Sequence, residues 1–220
     1  ACTVVDITQM PYKLVAKYRN NIISPMVYPT VIKSLCEQFN KAFCLVEIND
    51  IGGQVADILH ADLEYENVLM CSSRGVRKGQ VISGGFGGGS AQMGVRTTQV
   101  VKKLGCSVLK SLIEEDKLIV EDMETVGELI TFVAKKSSFE ADDGHNDDLV
   151  MCLVLFSWLS RQDYFKDLTN VDTRTAIYED EIARLEDEMT PFGFVINNDD
   201  DIQSFWDGES RWYDGDVWNE

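Results

Sequence analysis

Apolar and polar positions alternate in two ways along this chain, and the switch between them marks out the elements. Thr3 to Ile7 is short and β-branched and reads as a strand. Lys13 to Tyr18 alternates polar and apolar residues and reads as a second strand. The polar turn with Pro11 between them predicts an antiparallel hairpin. Met26 to Phe39 carries Val27, Ile32, Leu35 and Phe39 at helical spacing, with Pro29 near the helix start. Ala42 to Val46 is an unbroken apolar run ending in Glu47, as expected of a strand covered on both faces. Ile51-Gly-Gly opens a helix through Val55, Ile58, Leu59 and Leu63, and Val68 to Cys71 is a short strand.

The second half continues the alternation. Residues 72–94 read as loop, and the Ser83–Ser90 run, with five glycines and one aromatic, is expected to be mobile. Thr97 to Glu115 is expected to be helical with Val100, Leu104, Val108 and Leu112 on one stripe, and Gly105 marks a candidate break. A strand over Lys117–Val120, a helix over Glu124–Lys135 and a short strand over Ser137–Glu140 follow. Asp142 to Asp148 is an acidic turn, and Leu149 to Ser160 is so uniformly apolar that it predicts a central buried helix. Strands first in a hairpin and then alternating with helices define a mixed α/β sheet with helices on its faces. The composition shifts after Lys166, so residues 1–166 are read as one domain and 167–220 as an acidic extension. Within that extension, Tyr178–Met189 is a candidate acidic helix and Asp199–Glu220 an acidic, aromatic-containing tail.

Composition changes this picture in one respect. The 220 residues are 45% hydrophobic, enough to bury a core, and no apolar run is long enough for a membrane span. The six cysteines form no Cys-x-x-Cys pair and read as buried free thiols of a reducing compartment. The formal net charge of −17 at first argues against nucleic acid. Its distribution reverses that inference, because Val171 to Glu220 holds 15 acidic and 3 basic residues. Cys71 to Leu104 carries six basic residues (Arg74, Arg77, Lys78, Arg96, Lys102 and Lys103) and no acidic one. Such a stretch can neutralise phosphates without reading sequence, and its glycines permit close backbone approach.

Candidate chemistry gathers on Glu47, Asp147 and Asp148. Glu47 ends a buried strand, and the two aspartates begin a buried helix about a hundred residues later. Functional groups of α/β sheets collect at strand ends, so these carboxylates can meet. Converging carboxylates repel one another, and a hard cation such as Mg²⁺ or Mn²⁺ relieves that repulsion. Taken singly, each residue also has a plainer reading: Asp147 or Asp148 as a helix N-cap, Glu47 as a surface residue beyond its strand. His145 is a turn histidine three residues before Asp148 and a weaker candidate. The chain has no Gly-x-x-x-x-Gly-Lys-Ser/Thr phosphate loop and no Gly-x-Ser-x-Gly elbow.

Five segments carry a family likeness: FCLVEIN (43–49), GQVA (53–56), DLEYE (62–66), LGCSVLKSLIEEDK (104–117) and GHNDDLVM (144–151). In order and spacing they resemble the nuclease domain of large terminases of T-even-type tailed bacteriophages, over about residues 1–165. The resemblance implies a ribonuclease-H-like mixed sheet flanked by helices. It implies an endonuclease that uses Mg²⁺ or Mn²⁺, with two ions expected, to cut concatemeric double-stranded viral DNA in headful packaging. The implied partners are the portal, the small terminase subunit and an ATPase domain of the same polypeptide. The implied location is the cytoplasm of the infected bacterial host rather than the mature virion. The family's triad is Asp, Glu, Asp. Its Glu falls on Glu47 and its last Asp on Asp148, with Asp147 as the register alternative. Its first Asp is expected on a strand preceding Ala1, and Asp6 is the less favoured alternative. Another ribonuclease-H-like nuclease, such as a junction resolvase, and a non-catalytic DNA-gripping or docking module are the competing functions.

Overall fold

The structure, a computed structural model, describes residues 1–73, 80–83, 91–135 and 138–169, together with the backbone of 204–206 and 211–213. The chain divides into two compact units, Ala1–Arg174 and Thr175–Glu220.

The first unit opens with the expected hairpin. Strands β1 (Cys2–Asp6) and β2 (Tyr12–Tyr18) pair antiparallel, with a register shift at Val4/Val5. Helix α1 (Tyr28–Gln38) follows, with Pro29 in its first turn, where a missing N–H costs nothing. The apolar run ending at Glu47 is extended, but it is held by parallel bridges rather than by a long ladder. Cys44 bridges Val68 and Glu47 bridges Val95. The Val95 N–H donates to the Val46 carbonyl at 2.7 Å, and the Ile48 N–H donates to the Val95 carbonyl at 2.9 Å. Gly94 makes this contact possible. It has φ +85°, and a Cβ there would lie 2.3 Å from the Val46 carbonyl oxygen. The backbone groups of Leu45 and Glu47 point to the other side and bond to no backbone among the described residues. Strand β1 is likewise an edge of its sheet.

Helix α2 (Gly52–Asp57) runs into a wider π turn over Ile58–Asp62, and Val55, Ala56 and Leu59 bury one face. The loop expected over 72–94 instead contains a three-stranded antiparallel sheet. Its centre is β3 (Met70–Ser73), flanked by β4 (Gln80–Ser83) and β5 (Ala91–Met93). Cys71 and Ile82 face each other across it and are buried against Leu69, Val95, Val101, Leu155 and Trp158. The glycine run masks arms too short to show periodicity. The expected mobility of Ser83–Ser90 concerns residues 84–90, which lie outside the described residues.

Helix α3 (Gln99–Glu114) starts at Thr98, whose side chain accepts the Val101 N–H. It corrects two expectations. Gly105 does not break it; a Cβ at that position would lie 2.4 Å from the Val154 carbonyl oxygen and 2.7 Å from Val154 Cγ1. The glycine therefore sits where α3 crosses α5 (Asp148–Ser160) most closely. This crossing also rotates the buried stripe by one position, to Val101, Gly105, Cys106, Leu109 and Leu112, and leaves Val100 and Leu104 exposed.

Strand β6 (Leu118–Ile119) pairs parallel with the start of β2, giving the order β1-β2-β6. Helix α4 (Met123–Thr131) is shorter than expected, because Phe132–Lys135 leaves it to form β7, antiparallel to β8 (Ser138–Ala141). Stacking of Phe132 on Phe139 and the β-branched Val133 favour the strand pair over further helix. Helix α5 is the buried helix its composition predicts: Leu149, Val150, Leu153, Val154 and Trp158 are at most 2% exposed. At about 1.5–3 kcal/mol for each large apolar side chain, it is the main anchor of the core. A further helical stretch covers 163–169.

In the second unit, β9 (Ser204–Trp206) pairs antiparallel with β10 (Arg211–Tyr213), so part of the expected tail has regular structure. The helix expected over Tyr178–Met189 lies outside the described residues.

The α3–α5 crossing gives the first test. Gly105→Ala is expected to lower unfolding stability by about 1–3 kcal/mol or more through overpacking. Gly127→Ala, on α4 with no atom within 4 Å of its added Cβ, should instead raise it by about 0.5–1 kcal/mol. Urea unfolding of both variants reads the two signs.

Candidate active site

The N-terminus of α5 carries two of the predicted acids, and neither serves as its cap. Asp147 occupies the N-cap position without a side-chain capping hydrogen bond. The acceptor comes from α4. Glu128, only 6% exposed, takes the Leu149 N–H at 2.8 Å and the Val150 N–H at 3.2 Å on Oε2. A buried carboxylate here meets two of the helix's otherwise unpaired N–H groups and the positive end of its dipole. The plain N-cap reading of Asp147 and Asp148 therefore does not hold.

The two aspartates also face different neighbours. Asp148 is exposed and pairs with Arg19, Nη2 to Oδ2 at 3.7 Å. Cys152, one turn further along α5, lies in the field of both Asp148 and Glu47. Burial pushes its thiol up to about 12, and these two carboxylates add to the rise. Both carboxylates, one on the extended segment and one at the start of α5, thus act on the Cys152 thiol. Asp147 acts instead on Cys106 of α3, whose thiol is raised mainly by burial, lowered by Lys102 and raised further by Asp147. Glu47 is half-buried and has no side-chain hydrogen bond or ion pair among the described residues. Its carbonyl oxygen abuts Gly52, where a Cβ would lie within 1.8 Å. Only a glycine allows α2 to start so close behind Glu47.

Asp6 sits at the far end of β1 from Cys2, about 13 Å along the strand. Its Oδ1 accepts the Thr8 N–H and hydroxyl, which hold its pKa below the usual range. His145 lies exposed in the turn before α5, its N–H donating to the Asp142 carbonyl.

A charge ladder that local sequence could not reveal leads to the site. Lys17 on β2 contacts Asp122 at 2.7 Å and Glu124 at 2.6 Å. Arg19, just beyond β2, contacts Glu124 at 2.7 Å, Glu128 at 3.2 Å and Asp148 at 3.7 Å. These partners are more than a hundred residues apart in sequence. The one available signal was an acid three residues after Thr125 on the core face of α4, since Thr125 and Glu128 are both buried there.

Of the six basic candidates, Arg74, Arg77 and Lys78 lie outside the described residues. Arg96 is exposed beside β4, its backbone bound on both sides by the Gln80 side chain. Lys102 and Lys103 lie in the early turns of α3. Lys103 is exposed, and Lys102 lies 5.9 Å from the Phe132 ring centroid and close enough to Cys106 to lower its thiol.

Among the described residues no three His, Cys, Asp or Glu side chains converge into a closed metal cage. The oxygen donors available, the carboxylates of Glu47 and Asp148, are of the kind that suits a hard cation. Mg²⁺ in particular is often held by one or two carboxylates, with water and substrate phosphate completing its shell.

Strands in antiparallel and parallel pairing, interleaved with helices, define this chain as an α/β domain. The family model described as a terminase RNaseH-like domain matches residues 1–171, and the chain belongs to that family. The terminase resemblance and the ribonuclease-H-like fold expected from the sequence are thereby borne out at the level of this family. Among the described residues no helix is long and apolar enough to cross a membrane.

The ladder makes a prediction about pH. Lys17, followed by Thr125, holds the Asp122 carboxyl down to about 2, below its ordinary 3.8. A depressed carboxyl stabilises the fold above its unfolded pKa, and that contribution fades as pH falls through the folded one. Asp122 also caps α4. Asp122→Ala should therefore cost about 1 kcal/mol at pH 7. The difference from wild type should shrink between about pH 4 and pH 2, as followed by denaturant midpoints across that range.

Proposed function

We propose that this domain is a divalent-metal-dependent endonuclease that cuts concatemeric double-stranded DNA during viral genome packaging. The observation carrying this reading is that the extended segment bearing Glu47 packs, through Leu45, against the core cluster that includes Leu155 and Trp158 of α5, while Asp148 at the start of α5 is left free of capping because Glu128 accepts the helix N–H groups. In this reading Glu47 and Asp148 hold Mg²⁺ or Mn²⁺, in two sites. The bound metal would lower the pKa of a water and stabilise charge on the phosphodiester oxygens. Asp147, at the N-cap position of α5, is the less favoured ligand. Arg96, Lys102 and Lys103, with Arg74, Arg77 and Lys78, would hold the DNA backbone without reading its bases. The half-burial of Glu47 limits its mobility, so a carboxylate without a protein partner stays aimed at one place. The packaging context, with portal, small terminase subunit and ATPase domain as partners in the infected host's cytoplasm, belongs to the same proposal.

A plasmid-nicking assay with Mn²⁺ or Mg²⁺ tests the chemistry. Glu47→Ala and Asp148→Ala should each lower the rate at least about 100-fold, the loss of several kcal/mol of charge stabilisation. Asp147→Ala should stay within about tenfold of wild type. Wild-type rates in both Glu47→Ala and Asp148→Ala would reject the assignment. DNA binding without cutting under any metal would favour the gripping-module alternative.

Binding is tested separately by its salt dependence. Neutralising Arg96, Lys102 and Lys103 together should reduce the slope of log K against log salt by about one for each phosphate left without its basic partner. Fluorescence anisotropy on duplexes of unrelated sequence should show the same reduction on each.

A further inference from the structure

We infer that Glu128 is a positioning residue for Asp148, whose carboxylate it frees by capping α5 in its place. This inference rests on the reading of Asp148 as a metal ligand. The first N–H groups of a buried helix need acceptors, and an aspartate at its start is the usual supplier. Here two aspartates are available, yet Leu149 and Val150 donate to Glu128. The Asp148 side chain is consequently turned outward, 59% exposed, with only a long ion pair to Arg19.

The bond pattern of Glu128 shows how far this duty absorbs it. Oε2 takes both helix N–H groups. Oε1 makes no hydrogen bond, although Arg19 Nη1 lies 3.2 Å away as an ion-pair partner out of alignment. A carboxylate this deeply buried is costly to keep without a compensating role. Arg19 completes the arrangement, because the same guanidinium spans Glu128 and Asp148. Without Glu128, the bare N–H groups of α5 would draw Asp147 or Asp148 back as a cap, and the outward carboxylate would be lost.

The experiment measures Mn²⁺ affinity of the full chain from the free-ion electron paramagnetic resonance signal. Amide hydrogen exchange at Leu149 and Val150 is followed in parallel. Glu128→Gln keeps an oxygen acceptor for both N–H groups and should bind Mn²⁺ within about threefold of wild type. Glu128→Met fills the same volume without a comparable acceptor; it should expose the two amides to faster exchange and weaken Mn²⁺ by about tenfold or more. Glu128→Asp withdraws the carboxylate by one methylene and serves if the Met variant lacks a cooperative unfolding transition. It too should weaken Mn²⁺ about tenfold. Wild-type Mn²⁺ affinity in a folded Met or Asp variant overturns the inference, as does a Gln variant as weak as Met. Asp148→Asn separates the two levels. If it leaves Mn²⁺ affinity unchanged, the ligand role falls and the positioning role with it. If it abolishes binding while Glu128→Met does not, only the positioning role falls.

Discussion

The arrangement depends on how one buried helix begins. Helix α5 fills the core with side chains that have almost no contact with water, so its first N–H groups cannot rely on solvent. Glu128 meets that constraint from a neighbouring helix. A charge-assisted bond of this kind is worth about 1.5–3 kcal/mol, and losing it would strand buried donors at comparable cost. Much else follows from this contact. It ties α4 to α5, it keeps Arg19 between two elements, and it leaves the acidic start of α5 free to face the site.

The glycines show the same economy of space. Gly105 lets α3 press on α5 at Val154, Gly94 lets a backbone turn against Val46 and Ile48, and Gly52 lets α2 begin against Glu47. Two of these contacts flank the extended segment that carries Glu47, and the third fixes the helix that carries Asp148. Close backbone approach thus positions both the segment that carries Glu47 and the helix that carries Asp148.

What the sequence made legible was whatever repeats along the chain. The β1–β2 hairpin, the apolar α5 and the acids bracketing a long insertion could all be read from spacing. Contacts between distant segments could not. The α3 stripe was displaced by one position because its register is set by Val154 on another helix, not by its own pattern. Phe132–Lys135 left α4 because Phe139 offered an aromatic partner across a strand pair. The arms of the β3–β4–β5 sheet are too short for a period, and the glycines around them dominate their composition. Glu128 was missed for the same reason as Arg19: its significance lies in partners that no window of sequence contains. The joint pattern of five segments overcame part of this limit, since it fixed the family while each segment alone was ambiguous.

Charge illustrates why pattern matters more than total. From its formal charge of −17 alone, the chain would be expected to repel DNA. Within the described part of the first unit, however, much of the negative charge is already engaged. Asp122 and Glu124 meet Lys17, Glu124 also meets Arg19, and Glu128 turns inward to a helix end. Glu47 differs, a half-buried acid with no such partner among the described residues. Arg96, Lys102 and Lys103 lie around the start of α3, the helix that packs against α5. Because screening limits exposed charges to a range of about 10 Å, a polyanion senses this local arrangement rather than the sum over the chain. The ladder of Lys17 and Arg19 thus compensates acids from β2 to the start of α5, Asp148 included, and Glu47 stands outside it, so the charge around these two acids differs although both belong to one acidic chain.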